Sequence, residues 1–99
     1  MKTNLDSRVM EVMKGNIEIP YSNLTKDIKK DFYIITYFLA EKLPDNVPFD
    51  LGKWEIEDFN ADTIVVMSNK RRWVIQLDNV YSYDEKIAIE YRFLTIRED

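Results

Sequence analysis

From Leu24 to Leu43 the apolar side chains Leu24, Ile28, Phe32, Ile35, Leu39 and Leu43 recur every three or four residues, the repeat that lines them along one face of a helix. No other stretch of the chain keeps that period for so long. The spacing predicts one helix over 24–43, capped by Ser22 or Asn23, with Asp27 in its first turns where a carboxylate meets the positive end of the helix dipole. Pro44, Asp45, Asn46 and Pro48 cannot prolong it, so a loop running to about Gly52 is expected to bring the chain back, pinned to the core by Phe49 and Leu51. A helix with so broad an apolar face needs a sheet to cover.

After Gly52 the helical period gives way to alternation, and strands are predicted over 53–58, 62–68, 71–78 and 86–97. Trp54, Ile56, Ile64, Val66, Trp73, Ile75, Leu77, Ile87, Ile89, Tyr91 and Phe93 then share the core face. A one-residue slip would turn each strand inside out, so the turns have to agree with the faces. A two-residue turn at Asn69 and Lys70 sets Val66 opposite Trp73 and Ile64 opposite Ile75, and Asn accommodates the positive φ of such a turn. A three-residue loop at Phe59, Asn60 and Ala61 would set Ile56 opposite Ile64 and Trp54 opposite Val66. Residues 79–85 read as a longer loop.

Ahead of the central helix, Leu5, Val9, Val12 and Met13 fall at helical spacing after Asp6 and Ser7, which predicts a short amphipathic helix over about 6–14 ended by Gly15 and Asn16. Ile17, Glu18 and Ile19 alternate before Pro20, as a short edge strand or an extended connection does. The expected fold is α+β: a four-stranded antiparallel meander with one long helix packed on one face and a short N-terminal helix, in a single domain over residues 1–99. Ile34 and Phe38 lie beside the core stripe and need a cover, either the N-terminal helix through Val9, Val12 or Met13, or another molecule.

The chain contains neither cysteine nor histidine. Thiolate nucleophiles, imidazole bases and metal sites built from either are thereby excluded. Glu55, Glu57, Asp58 and Asp62 cluster on the first predicted hairpin and could hold only a hard cation such as Mg²⁺, and Glu90-Tyr91-Arg92 is a loose echo of the motif that metal nucleases use. The expectation is a non-enzyme without metal or cofactor. The apolar run Phe32–Ala40 is far shorter than the roughly 20 residues of a membrane span, and residues 1–6 are polar, so a cytoplasmic protein without a membrane partner is expected.

Function has to be sought on the surfaces these faces leave open. Val65, Met67 and Val74 are predicted to point outward in the middle of the sheet, Val65 facing Val74 and Met67 facing Arg72, with Glu55, Glu57, Glu90 and Arg92 around them. An apolar centre inside a charged rim is how protein interfaces are built. Tyr81 and Tyr83, in the segment Asp78–Glu85, are the expected hot spots, because tyrosine offers a large ring with one polar tip. These residues suggest a small protein-binding domain, an inhibitor or accessory factor of a larger protein, monomeric or homodimeric. Abundant Ile, Lys, Asn, Asp and Tyr with 2 Gly and 3 Pro suit an AT-rich phage or bacterial genome, where an inhibitor of phage or mobile-element type, including one aimed at host defence, is a natural role for a short chain.

A second class of partner is nucleic acid, met by Lys26, Lys30, Tyr33 and Tyr37 on the open side of the central helix or by Lys70 and Arg71 at a hairpin tip. Against it stands a net charge of −4, where phosphate binders are usually basic. Lysine and arginine at a hairpin tip also serve to keep strand ends from aggregating.

Overall fold

The computed structural model describes residues 9–96. Strands β1 (Val9–Pro20), β2 (Trp54–Phe59), β3 (Thr63–Ser68), β4 (Arg71–Tyr83) and β5 (Lys86–Ile96) form one antiparallel sheet, in the order β1-β5-β4-β3-β2. Among the described residues one α-helix, α1 (Ile28–Ala40), packs across one face. The α+β class and the antiparallel sheet are as the sequence predicts, but the sheet has five strands and not four. The added strand, at the sheet edge, joins the segment predicted as an N-terminal helix, of which residues 6–8 lie outside the described residues, to Ile17–Ile19, whose alternation before Pro20 is that of an edge strand.

Two features hide that strand from a periodicity argument. The pairing of β1 with β5 shifts register between Glu11 and Met13, so the residues before the bulge are out of phase with Met13, Gly15, Ile17 and Ile19 after it. Gly15 is the core-facing member without a side chain, and it lies opposite Tyr91, whose hydroxyl would stand 3.7 Å from a Cβ at that position. The tyrosine ring fills the space that the glycine leaves. With β1 in place, β5 is an interior strand, which suits it. Ile89 and Phe93 are fully buried on the core face, and Ala88 is buried on the other. An edge position would have left this apolar strand open to foreign pairing.

Helix α1 is shorter than predicted because the residues before it are engaged elsewhere. Asp27, not Ser22 or Asn23, is the cap, its Oδ1 accepting from the backbone N–H groups of Lys29 (3.0 Å) and Lys30 (3.2 Å). Asp31 reaches back to accept from both the N–H and the hydroxyl of Thr25, at 2.7 and 2.9 Å. This clasp holds 25–27 outside the helix, with a bend at Lys26, and Leu24 joins the core from there. At the other end the turn tightens, Lys42 and Leu43 donating to the carbonyls of Leu39 and Ala40, before Pro44 stops it. Of the predicted stripe, Phe32, Ile35 and Leu39 are buried, while Ile28 is 61% exposed. Among the described residues no N-terminal helix covers Ile34 and Phe38, which are half-buried at the flank of α1.

Phe49 closes the core from the return loop, as expected, with its ring edge-on to Trp73 at 5.4 Å and to Phe93 at 5.7 Å. Ser68 ties that loop down: its Oγ accepts from the Asp50 N–H (2.8 Å) and lies 3.2 Å from the carbonyls of Asp50 and Lys53. The turn at Asn69 and Lys70 has φ of 56° and 61°, and the predicted pairs Val66–Trp73 and Ile64–Ile75 form. The β2–β3 register is corrected by two residues: Ile56 lies opposite Val66 and Trp54 opposite Ser68. A bulge between Ile56 and Asp58 lets Phe59 point inward as well, where it meets Phe32 edge-on at 5.0 Å. Residues 79–85 are also corrected. They form no long loop, since β4 continues to Tyr83 and turns at Asp84 and Glu85, both with positive φ.

Candidate functional site

The helix covers one face of the sheet and leaves the other open. Cross-strand pairing sorts that open face into rows. In its middle runs Asp58–Val65–Val74–Leu94–Glu11, three half-buried apolar side chains on adjacent strands closed at each end by an exposed carboxylate. Beside it Met67 lies opposite Arg72, as predicted, and on its other side next to Glu55, and Ile96 lies opposite Val9. Leu94 and Ile96 are members that the sequence reading missed. The alternation of β5 carried the signal, since Leu94 and Ile96 fall between its core residues.

Charged groups around this centre are tied to one another. Arg72 grips Glu57 through two bonds, Nε to Oε1 at 2.8 Å and Nη2 to Oε2 at 3.1 Å. Arg92 does the same with Asp78, both bonds at 2.9 Å. Both carboxyls are held below their ordinary values by these guanidinium hydrogen bonds. Such exposed pairs contribute little to stability but fix geometry, because a bidentate fork admits few rotamers.

The far end of the open face is built of tyrosines. There β4 and β5 run beyond β3, which starts opposite Gln76, so Asn79–Tyr83 overhang β3 and β2 while β1 continues beside β5. Tyr81, Ala88 and Glu18 form one row and Asn79, Glu90 and Asn16 the next. Tyr81 (48% exposed) donates to Glu90 Oε2 at 2.8 Å, and Asn79 donates to Glu90 Oε1 at 2.7 Å. Tyr83 donates to Glu18, which Lys86 also meets at 3.1 Å. On the opposite side of the same hairpin the Tyr21 hydroxyl donates to Ser82. The rings are exposed while their hydroxyls are committed, which presents aromatic area already fixed in place.

These hydrogen bonds set a pH window. Glu90 is held below the ordinary glutamate value, by Asn79 first and Tyr81 second, and Glu18 likewise by Tyr83 and then Lys86. A depressed folded-state value stabilises above the unfolded value and is lost as pH falls through the folded one. Tyr81 and Tyr83 are raised by the same two bonds, so their contribution is present below the ordinary tyrosine value and lost as pH rises through the raised one. The tyrosine end is therefore ordered between the carboxylate and the tyrosine titrations. A carboxyl ¹³C titration should show the midpoint of Glu90 moving up in Tyr81→Phe, which deletes one of its two donors. An unmoved midpoint would mean that the bond does not form in solution.

The residues proposed for nucleic acid are less well gathered. Tyr33 stacks on Trp54 with ring centroids 5.3 Å apart, and its hydroxyl accepts from the N–H of Ile56 at 3.1 Å, so it is not open to a base. Tyr37 is exposed, Lys30 lies in the first turn of α1, and Lys26 lies at the bend before it. Lys70 is exposed at the β3–β4 turn, while the Arg71 guanidinium sits 5.8 Å from the centroid of Trp73. Among the described residues there is no group of three or more acidic side chains arranged to hold a metal ion, and no helix long and apolar enough to cross a membrane.

Comparison of the chain with protein-family models, with curated proteins and with solved structures finds no match.

Proposed function

We propose that this chain is a small non-enzymatic protein-binding domain that blocks or assists a larger protein through the open face of its sheet. The observation that carries this reading is the central row, Val65, Val74 and Leu94 side by side with Asp58 and Glu11 at its ends. Apolar side chains at the middle of a face that α1 does not cover favour a partner that buries them.

Charge narrows the class of partner. Three ion pairs engage Arg72, Lys86 and Arg92 with carboxylates of the same face. Among the described residues of that face, Glu11, Glu55, Asp58 and Glu90 are then set against Lys14, an excess of negative charge. The partner surface that complements it has an apolar centre and a cationic rim. The composition adds a narrower reading, that of an inhibitor of phage or mobile-element type acting on a host protein.

The test is capture with the tagged chain from bacterial lysate, with and without nuclease, run in parallel for the native chain, Val74→Asp and Lys30→Glu. One stoichiometric protein should survive nuclease and be retained by Lys30→Glu. Its affinity for Val74→Asp should fall by about thirtyfold or more, the size of a hot-spot loss when an unpaired carboxylate is buried at an interface. Unchanged binding by Val74→Asp would remove the open face from consideration. Capture that disappears with nuclease and with Lys30→Glu would replace this reading with nucleic-acid binding.

A further inference from the structure

Among the described residues only one of the sheet's two edges is closed. Strand β2 is six residues long, carries a bulge, has the Ile56 N–H taken by the Tyr33 hydroxyl and has the Phe59 N–H taken by Asp58. These are the devices that prevent an edge from pairing. Strand β1 at the other edge is twelve residues long. Its backbone bonds are to β5, and among the described residues no side chain, helix or loop bonds to the backbone of Val9–Pro20 from the opposite side. The overhang of β4, Asn79–Tyr83, is shorter and follows a bulge of its own.

We infer that β1 pairs antiparallel with β1 of a second copy, centred on Asn16, joining two five-stranded sheets into one across a two-fold axis. The occupant is identified by self-complementarity. A two-fold axis through an antiparallel pair sets residues of the same face and the same hydrogen-bonding phase opposite one another, so few registers are open to the regular stretch after the bulge. Centring on Asn16 places Lys14 opposite Glu18 twice, and Met13 opposite Ile19 twice on the core side. Centring on Gly15 or Ile17 instead leaves Lys14 without a carboxylate opposite it. Pro20, which has no N–H, ends the ladder at one side and the bulge ends it at the other. A strand pair of this length is at the small end of stable interfaces, so a micromolar dimer is expected. The axis stands normal to the sheet, and both open faces therefore look the same way.

Sedimentation velocity from micromolar to millimolar concentration should show a monomer–dimer equilibrium that Lys14→Glu weakens by about tenfold, since it turns both opposite-charge pairs into like-charge pairs. The absence of native cysteine gives a check on register. Opposed residues in an antiparallel pair have Cα atoms about 4.5–5.5 Å apart, inside disulfide range, so Asn16→Cys should oxidise to a covalent dimer. Lys14→Cys should not, because its two copies are offset by about 13 Å along the strands. Both side chains are exposed, and circular dichroism verifies that the variants fold. A monomer at every concentration, equal cross-linking of the two cysteine variants, or a dimer indifferent to Lys14→Glu would each overturn the inference.

Discussion

Replacing Trp73 with alanine is expected to destabilise the protein by about 3–5 kcal/mol, a large part of the roughly 5–15 kcal/mol by which domains of this kind are stable. Trp73 is fully buried. It lies edge-on to Phe49 at 5.4 Å and to Phe93 at 6.1 Å, and so joins the return loop to strands β4 and β5. Its indole Nε1 donates to the carbonyl of Ser68 at 3.0 Å. The alanine variant removes the largest fully buried side chain and leaves that carbonyl without its donor. Trp73→Phe separates the two losses, because it keeps most of the ring packing and deletes the N–H, at a cost of about 1–3 kcal/mol for the unsatisfied group. Urea unfolding followed through Trp54 fluorescence measures both. A shift below about 1 kcal/mol for Trp73→Ala would mean that Phe49 and Phe93 collapse into the vacated space and that the loop is held by other contacts.

The core was legible in the last half of the chain because strand alternation there runs with few interruptions. Val66–Trp73 and Ile64–Ile75 pair as the Asn69–Lys70 turn requires, and the outward placement of Val65, Met67 and Val74 follows from the same register. Legibility fails wherever a bulge changes phase. A β2–β3 turn closed between Asn60 and Thr63 moved the pairing by three residues and the bulge beside Glu57 took one back, while the bulge between Glu11 and Met13 made a strand resemble a helix, with Gly15 removing one more beat from the alternation. The tyrosine end was half legible. Tyr81 and Tyr83 were singled out for their type, but the turn that places them on a strand needs positive φ at Asp84 and Glu85, and neither is the glycine or asparagine that announces such a turn. Glu90 could not be found as their partner before β4 was known to run on to Tyr83 beside β5, nor Glu18 before β1 was known to lie on the other side of β5.

The helix offers a comparison in which periodicity and structure disagree. Spacing alone puts Ile28 and Leu39 on one stripe, and equal costs for their truncation would follow. The clasp of Thr25, Asp27 and Asp31 instead starts α1 at Ile28, in a first turn beyond the reach of the sheet, and the side chain is 61% exposed. Leu39 is fully buried in the cluster with Phe32 and Ile35 and the core-facing residues of the sheet. Leu39→Ala is therefore expected to cost about 2–5 kcal/mol through lost transfer energy and the cavity left behind. Ile28→Ala should fall within about 0.5 kcal/mol of the native protein, since an exposed position has little burial to lose and alanine is the better helix former. Urea midpoints at constant m-value give both numbers. Equal losses would mean that Ile28 is covered in solution, and the one apolar side chain left uncovered at the start of α1 would then join the surfaces at which a partner or second copy has to be sought.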